Sequence, residues 1–107
     1  MKAKRVIVTE RAAAQLNATA DWISERAPET AEHWFEKFVA EIQTLDTRSE
    51  QFPVARESRR LSLVLREMLF GRQRQWRVLY TIRGDDVLVM AIRHAAQDDV
   101  TIDDLIG

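Results

Sequence analysis

The alternation of apolar and polar positions divides the chain into short segments of two different periods. Arg5-Val6-Ile7-Val8 is a β-branched run too short for a helix and bounded by Thr9, which predicts a first strand. From Thr9 or Glu10 to Arg26 an alanine-rich stretch sets Ala12, Leu16, Ala20, Ile23 and Ala27 at helical spacing and predicts a first helix. Pro28 suits the first turn of a new helix, where its missing N–H is not needed. The second helix has the clearest pattern, with Ala31, Trp34, Phe35, Phe38, Ile42 and Leu45 gathered on one face and Glu32, Glu36, Lys37, Glu41 and Gln43 on the rest of the cylinder. Such a stripe must pack on a sheet or another helix, and the short connection at Pro28 predicts an antiparallel helical hairpin.

Thr47 to Ser58 reads as a loop because it is polar, lacks a sustained period and contains Pro53. Beyond Leu61 the period becomes that of strands: Leu65 to Phe70, Trp76 to Ile82 and Val87 to Arg93. Gly71-Arg72-Gln73-Arg74 and Arg83-Gly84-Asp85-Asp86 are turn-length joints with glycine, so the last three strands form an antiparallel meander. Both side-chain parities of the last strand are apolar, which predicts a central strand covered on both faces. Residues 97–107 close at most as a short helix from Thr101 to Ile106, weakened by four aspartates. The expected fold class is α+β in the order β-α-α-β-β-β, an N-terminal strand and a helical hairpin packed on a mainly antiparallel sheet.

With 107 residues, 46% of them hydrophobic, the chain suffices for one compact domain, residues 1–107, and not for two. There are no cysteines, which removes disulfides, thiolate metal sites and thiol nucleophiles. The segment Met1 to Val8 lacks the apolar run of a secretory signal, and charges interrupt every hydrophobic stretch, so no membrane span is expected and the cytoplasm is the default location. Net charge is −1, but it is unevenly spread: residues 56–83 carry eight basic and two acidic side chains, and residues 84–107 one basic and six acidic. A basic middle before an acidic end suits either a polyanion or an acidic protein segment, or else marks the solvated edges of strands. No phosphate loop, dinucleotide fingerprint or metal-binding pattern is present in the sequence, and His33 and His94 have no ligand-like spacing, so neither cofactor nor metal is expected.

Taken in order, the helical hairpin, the Leu45 to Pro53 segment, Leu65-Arg66-Glu67, Trp76-Arg77-Val78-Leu79-Tyr80, the Gly84-Asp85 turn and Ile92-Arg93-His94 resemble the RelE/ParE toxin superfamily, which includes chains called plasmid stabilisation proteins. The likeness spans almost the whole chain. It implies the toxin of a type II toxin–antitoxin pair, held inactive in a hetero-oligomer by a cognate antitoxin whose carboxy-terminal segment wraps it. RelE-like members cut messenger RNA on the ribosome; ParE-like members poison DNA gyrase by binding it. Fold alone does not choose between them.

Cleavage of RNA through the 2′-hydroxyl needs a proton acceptor, a cationic clamp on the phosphorane and a proton donor to the leaving oxygen. By resemblance, Arg66 falls at a family lysine position and Arg77 at the family's strand-three arginine, so Arg66, Arg77 and His94 are the candidate nuclease residues. The resemblance also shows departures: the second basic position of strand two is Met68, and the basic residue and aromatic hydroxyl after the last strand are replaced by His94-Ala95-Ala96-Gln97-Asp98-Asp99. Asp98, Asp99, Asp103 and Asp104 would repel phosphate if they fold near Arg66 and Arg77. These departures favour the non-catalytic, gyrase-directed alternative over the ribosome-dependent nuclease, with a non-toxic protein-binding module as the third. For the antitoxin, Arg59, Arg60, Arg66 and Arg77 suit bidentate contacts with acidic side chains. Three structural readings stand beside these: Arg77 braces the sheet, His94 caps its strand, and Tyr80 faces the core with its hydroxyl at the edge.

Overall fold

The computed structural model describes residues 2–106; the two ends of the expected domain, residues 1 and 107, lie outside them. The elements run β1 (Arg5–Val8), α1 (Glu10–Arg26), α2 (Ala31–Gln43), α3 (Leu45–Arg48), a 3-10 turn (Arg56–Arg59), β2 (Arg66–Phe70), β3 (Trp76–Arg83), β4 (Asp86–His94) and α4 (Ile102–Ile106). The sheet order is β1-β4-β3-β2, with β1 parallel to β4 and the other pairs antiparallel. This is the expected α+β arrangement. A bulge between Leu79 and Tyr80 shifts the register, so that Tyr80 faces Val89 and Leu79 faces Ala91.

Thr9 starts α1 and ties it to the sheet: its hydroxyl accepts from the Ala12 N–H at 3.2 Å and donates to the Val89 carbonyl at 2.9 Å. The helices cover one face, where Leu16, Phe38, Ile42, Met68, Trp76, Val78, Tyr80, Val87 and Val89 form the main core. Phe38 and Phe70 stack at 4.4 Å, with Trp34 edge-on to both. A second cluster, Ala55, Leu65, Leu79, Ala91 and Val100, occupies the opposite face under the 3-10 turn and the C-terminal segment.

Three local expectations change. The apolar stripe was continuous to Leu45, yet α2 stops at Gln43 and a separate short turn of helix begins at Leu45. The segment expected to be loop is built: Ala55 donates to the Leu65 carbonyl at 2.7 Å and Glu67 to the Pro53 carbonyl at 2.9 Å, so residues 53–55 extend the sheet beside β2. The last strand, β4, is central as expected, between β1 and β3, but the strand buried throughout on both faces is β3 from Trp76 to Thr81, and Leu88 and Met90 of β4 are only half-buried. Arg77 and Thr81 disguised that burial, because a polar residue at alternate positions reads as a solvated face.

Candidate functional site

One arginine of the basic block, Arg77, enters a buried charge cluster with the two acids of that block, Glu57 and Glu67. The 3-10 turn presents Glu57 inward, between exposed Arg56 and Arg59, and Ser58 pins the turn by donating to the Leu65 carbonyl at 3.1 Å and accepting from the Leu65 N–H at 2.9 Å. Arg77 of β3 reaches Glu57 through a two-pronged contact, Nη1 to Oε2 at 2.7 Å and Nη2 to Oε1 at 2.8 Å. Its Nε donates to Glu67 of β2 at 2.5 Å. The Val100 N–H donates to the same Glu57 oxygen that Nη1 uses, at 3.1 Å, so the C-terminal segment is anchored on the cluster. Arg77 is 2% exposed and Glu57 1%. Burial by itself pushes the Glu57 carboxyl up; the hydrogen bonds from Arg77 and then from Val100 overcome that and hold it at about 2. The guanidinium is correspondingly held charged, chiefly by its bonds to Glu57.

Arg77 therefore has the geometry of a brace joining β2, β3, the 3-10 turn and the C-terminal segment. The expectation that it meets phosphate or a partner's carboxylate finds a side chain with all three guanidinium nitrogens engaged inside the chain.

Arg66 lies on the other face. It pairs in register with Tyr80, whose side chain belongs to the helix-side core, and its Nη1 donates to the Phe52 carbonyl at 2.6 Å. Arg77 alternates with Trp76 and Val78 of that core and so points away from it. His94 pairs with Trp76, four positions along β3 from the Arg66 register, a displacement of about 13 Å along the strand. Its Nδ1 accepts the Ala96 N–H at 3.1 Å, and its ring stands edge-on to Trp76 at 4.9 Å. The three candidate nuclease residues are thus not brought together. Tyr80 is buried, and its hydroxyl donates to the Ser49 carbonyl at 2.6 Å inside the fold rather than at an edge; burial pushes it up to about 12.

Arg59 and Arg60 are exposed at the end of the 3-10 turn. Beside them the acidic segment folds back, with Asp99 2.6 Å from Arg56 Nε and the Asp98 carbonyl held by Arg93. One of the four aspartates that made α4 doubtful in fact starts it: Asp104 Oδ2 accepts from both the N–H and the hydroxyl of Thr101, and Thr101 Oγ1 accepts from the Asp104 N–H at 3.3 Å. Sequence reasoning missed Glu57. A usable signal existed, since Glu57 and Glu67 are the two acids among eight basic residues in that block, and a minority charge there is a natural counterion.

Comparison with known proteins bears on this architecture directly. A family model described as the ParE toxin of the type II toxin–antitoxin system parDE matches residues 6–99. The chain belongs to the ParE toxin family. As a ParE-type toxin it shares its fold with a solved chain from the chromosomal ParDE system of P. aeruginosa, at a TM-score of 0.70 and 21% identity over 85% of this chain and 95% of that one. No curated protein matches it. Among the described residues of this ParE-family chain no helix is long and apolar enough to cross a membrane.

Proposed function

We infer that this ParE-type toxin acts by binding rather than by catalysis, with DNA gyrase as its target and a cognate antitoxin as its neutralising partner. The observation carrying the inference is the separation of Arg66, Arg77 and His94 over two faces and about 13 Å of strand, with all three guanidinium nitrogens of Arg77 engaged inside the chain. An RNA-cleaving site needs its cationic clamp and its proton-transfer group within hydrogen-bond reach of one phosphate. The ParDE match supports the antitoxin half of the reading, and the exposed pair Arg59 and Arg60, with half-buried Arg66, are the arginines left to meet acidic side chains of that antitoxin. Arg77 contributes to that surface by holding it in shape.

The test is inducible expression without a partner, reading plasmid supercoiling and protein synthesis in the first minutes. Loss of supercoiling and a DNA-damage response with translation intact is the expected result. Early translation arrest with discrete cuts in messenger RNA overturns the binding reading, and normal growth assigns the chain to the non-toxic protein-binding alternative.

A further inference from the structure

The turn joining β2 to β3 holds a strained side chain. Arg74 is the one residue other than glycine with a positive φ, 55°, among the described residues. The Gly71 carbonyl accepts the Arg74 N–H at 3.0 Å, which closes a turn from Gly71 to Arg74 and leaves Arg74 in the left-handed region, where such a hairpin ordinarily carries glycine. Gln75 holds the shape: its Oε1 accepts the Gln73 N–H at 3.1 Å and lies 2.7 Å from the point that a Cβ on Gly71 would occupy. A side chain at position 74 costs backbone free energy that glycine would not, and strain kept at an exposed turn points to a use for that side chain.

Arg72, Gln73 and Arg74 are all exposed, and neither arginine has a hydrogen bond or an ion pair among the described residues. Arg5, Arg48, Arg56 and Arg77 each have an acidic partner. No acid stands between Glu67 and Asp85 in the sequence. Trp34, 5.8 Å from Phe70 by ring centroids, marks the side of α2 that faces the turn. Lys37 and Glu41 share a groove with Arg72 on that side, and Glu41 lies 3.9 Å from Arg48. Glu32 and Glu36, two positions before and after Trp34, are turned about 160° away from it around the helix axis. The tip thus offers two guanidinium forks and a carboxamide, with no apolar side chain among them. A stable protein interface buries an apolar centre, whereas a phosphate backbone asks for positive charge and N–H donors.

We propose that the tip of this hairpin, Arg72 to Arg74, is a contact for the phosphate backbone of duplex DNA. The proposal rests on gyrase as the target, because the duplex that such a tip meets is the one gyrase holds.

The test is fluorescence anisotropy of the full-length chain with a labelled duplex of about 20 base pairs over a range of salt concentrations, without gyrase. The double variant Arg72→Gln/Arg74→Gln is expected to lower affinity at least about tenfold at low salt and to reduce the slope of log affinity against log salt by about 1.8, the loss of two phosphate contacts. Arg59→Gln/Arg60→Gln is expected to leave the slope unchanged. Arg74→Gly is expected to weaken DNA binding roughly 3-fold or more while raising the urea midpoint, since it removes a charge and relieves the turn; a side chain kept only for the fold would give no loss of binding. An unchanged slope in the hairpin variant, an equal loss in the Arg59/Arg60 variant, or displacement of the duplex by poly-glutamate as readily as by unlabelled DNA overturns the proposal, the last in favour of an acidic protein segment. The two readings fail separately: retained supercoiling in cells with intact DNA binding counts against gyrase alone, and lost supercoiling with an unchanged slope counts against the hairpin contact alone.

Discussion

Replacing Glu57 by alanine probes the brace most directly. The change removes both prongs on Arg77 and the acceptor of the Val100 N–H, leaving a guanidinium 2% exposed with Glu67 as its counterion. Breaking one partner out of a buried pair costs about 3–5 kcal/mol, and the surviving bond to Glu67 places this case near about 3. For a domain whose total stability is about 5–15 kcal/mol this is a large share. The assay is equilibrium urea denaturation followed by tryptophan fluorescence, on the wild type, Glu57→Ala, Arg77→Met and the double variant Glu57→Leu/Arg77→Met. The double variant is expected to be more stable than either single one, because neither Glu57 nor Arg77 is then left as a buried charge without its partner, and Glu67, the one member of the cluster that loses its guanidinium, keeps 19% of its side chain exposed to water. A loss below about 1 kcal/mol in Glu57→Ala, the size of an exposed ion pair, would refute the brace, as would a double variant no better than the singles.

Three further outcomes follow from the same contacts. Because the Glu57 carboxyl is depressed in the folded state, its contribution is complete above pH 4.5 and is lost as pH falls towards about 2; acid denaturation curves of Glu57→Gln should lack that part of the slope. Tyr80 is the single tyrosine of the sequence, so an ultraviolet pH titration reads it alone: the folded chain should hold its proton to about pH 12, and Tyr80→Phe should cost about 1–2 kcal/mol for the hydrogen bond to Ser49. Charge reversal at the two exposed arginines, Arg59→Glu with Arg60→Glu, should weaken antitoxin binding at least about tenfold at low salt, mostly through slower association, and calorimetry at two ionic strengths checks it.

The free edge of β4 and the brace differ in how far each was visible beforehand. Trp76 and Arg93 sit within the strand limits that the apolar period marked and His94 one position beyond them, yet nothing in the period says that β1 is too short to flank all of β4 and that Gln15 of α1 takes the Ile92 N–H instead. The expected separation of strand residues into faces was readable in principle, since Arg66 and Arg77 belong to different strands and their relative face depends on the register. Register is set by the Phe70↔Trp76 pairing across the turn, and one residue of slip would have placed the two arginines on the same side.

Sequence periodicity determined the elements and their order here, because a helix or strand must bury its apolar stripe and both periods are written in the chain: Ala31 to Ile42 at one spacing, Trp76 to Ile82 at the other. It also located the basic block and its excess of arginine. What only the tertiary structure decided is which of those arginines faces water. Burial of a charge depends on a counterion arriving from elsewhere in the chain, and for Arg77 it arrives from a turn twenty positions away, with the backbone of Val100 closing the cluster from the other end. No local pattern encodes a contact of that kind, because its energy comes from desolvation and geometry that exist only once the sheet, the turn and the C-terminal segment have come together.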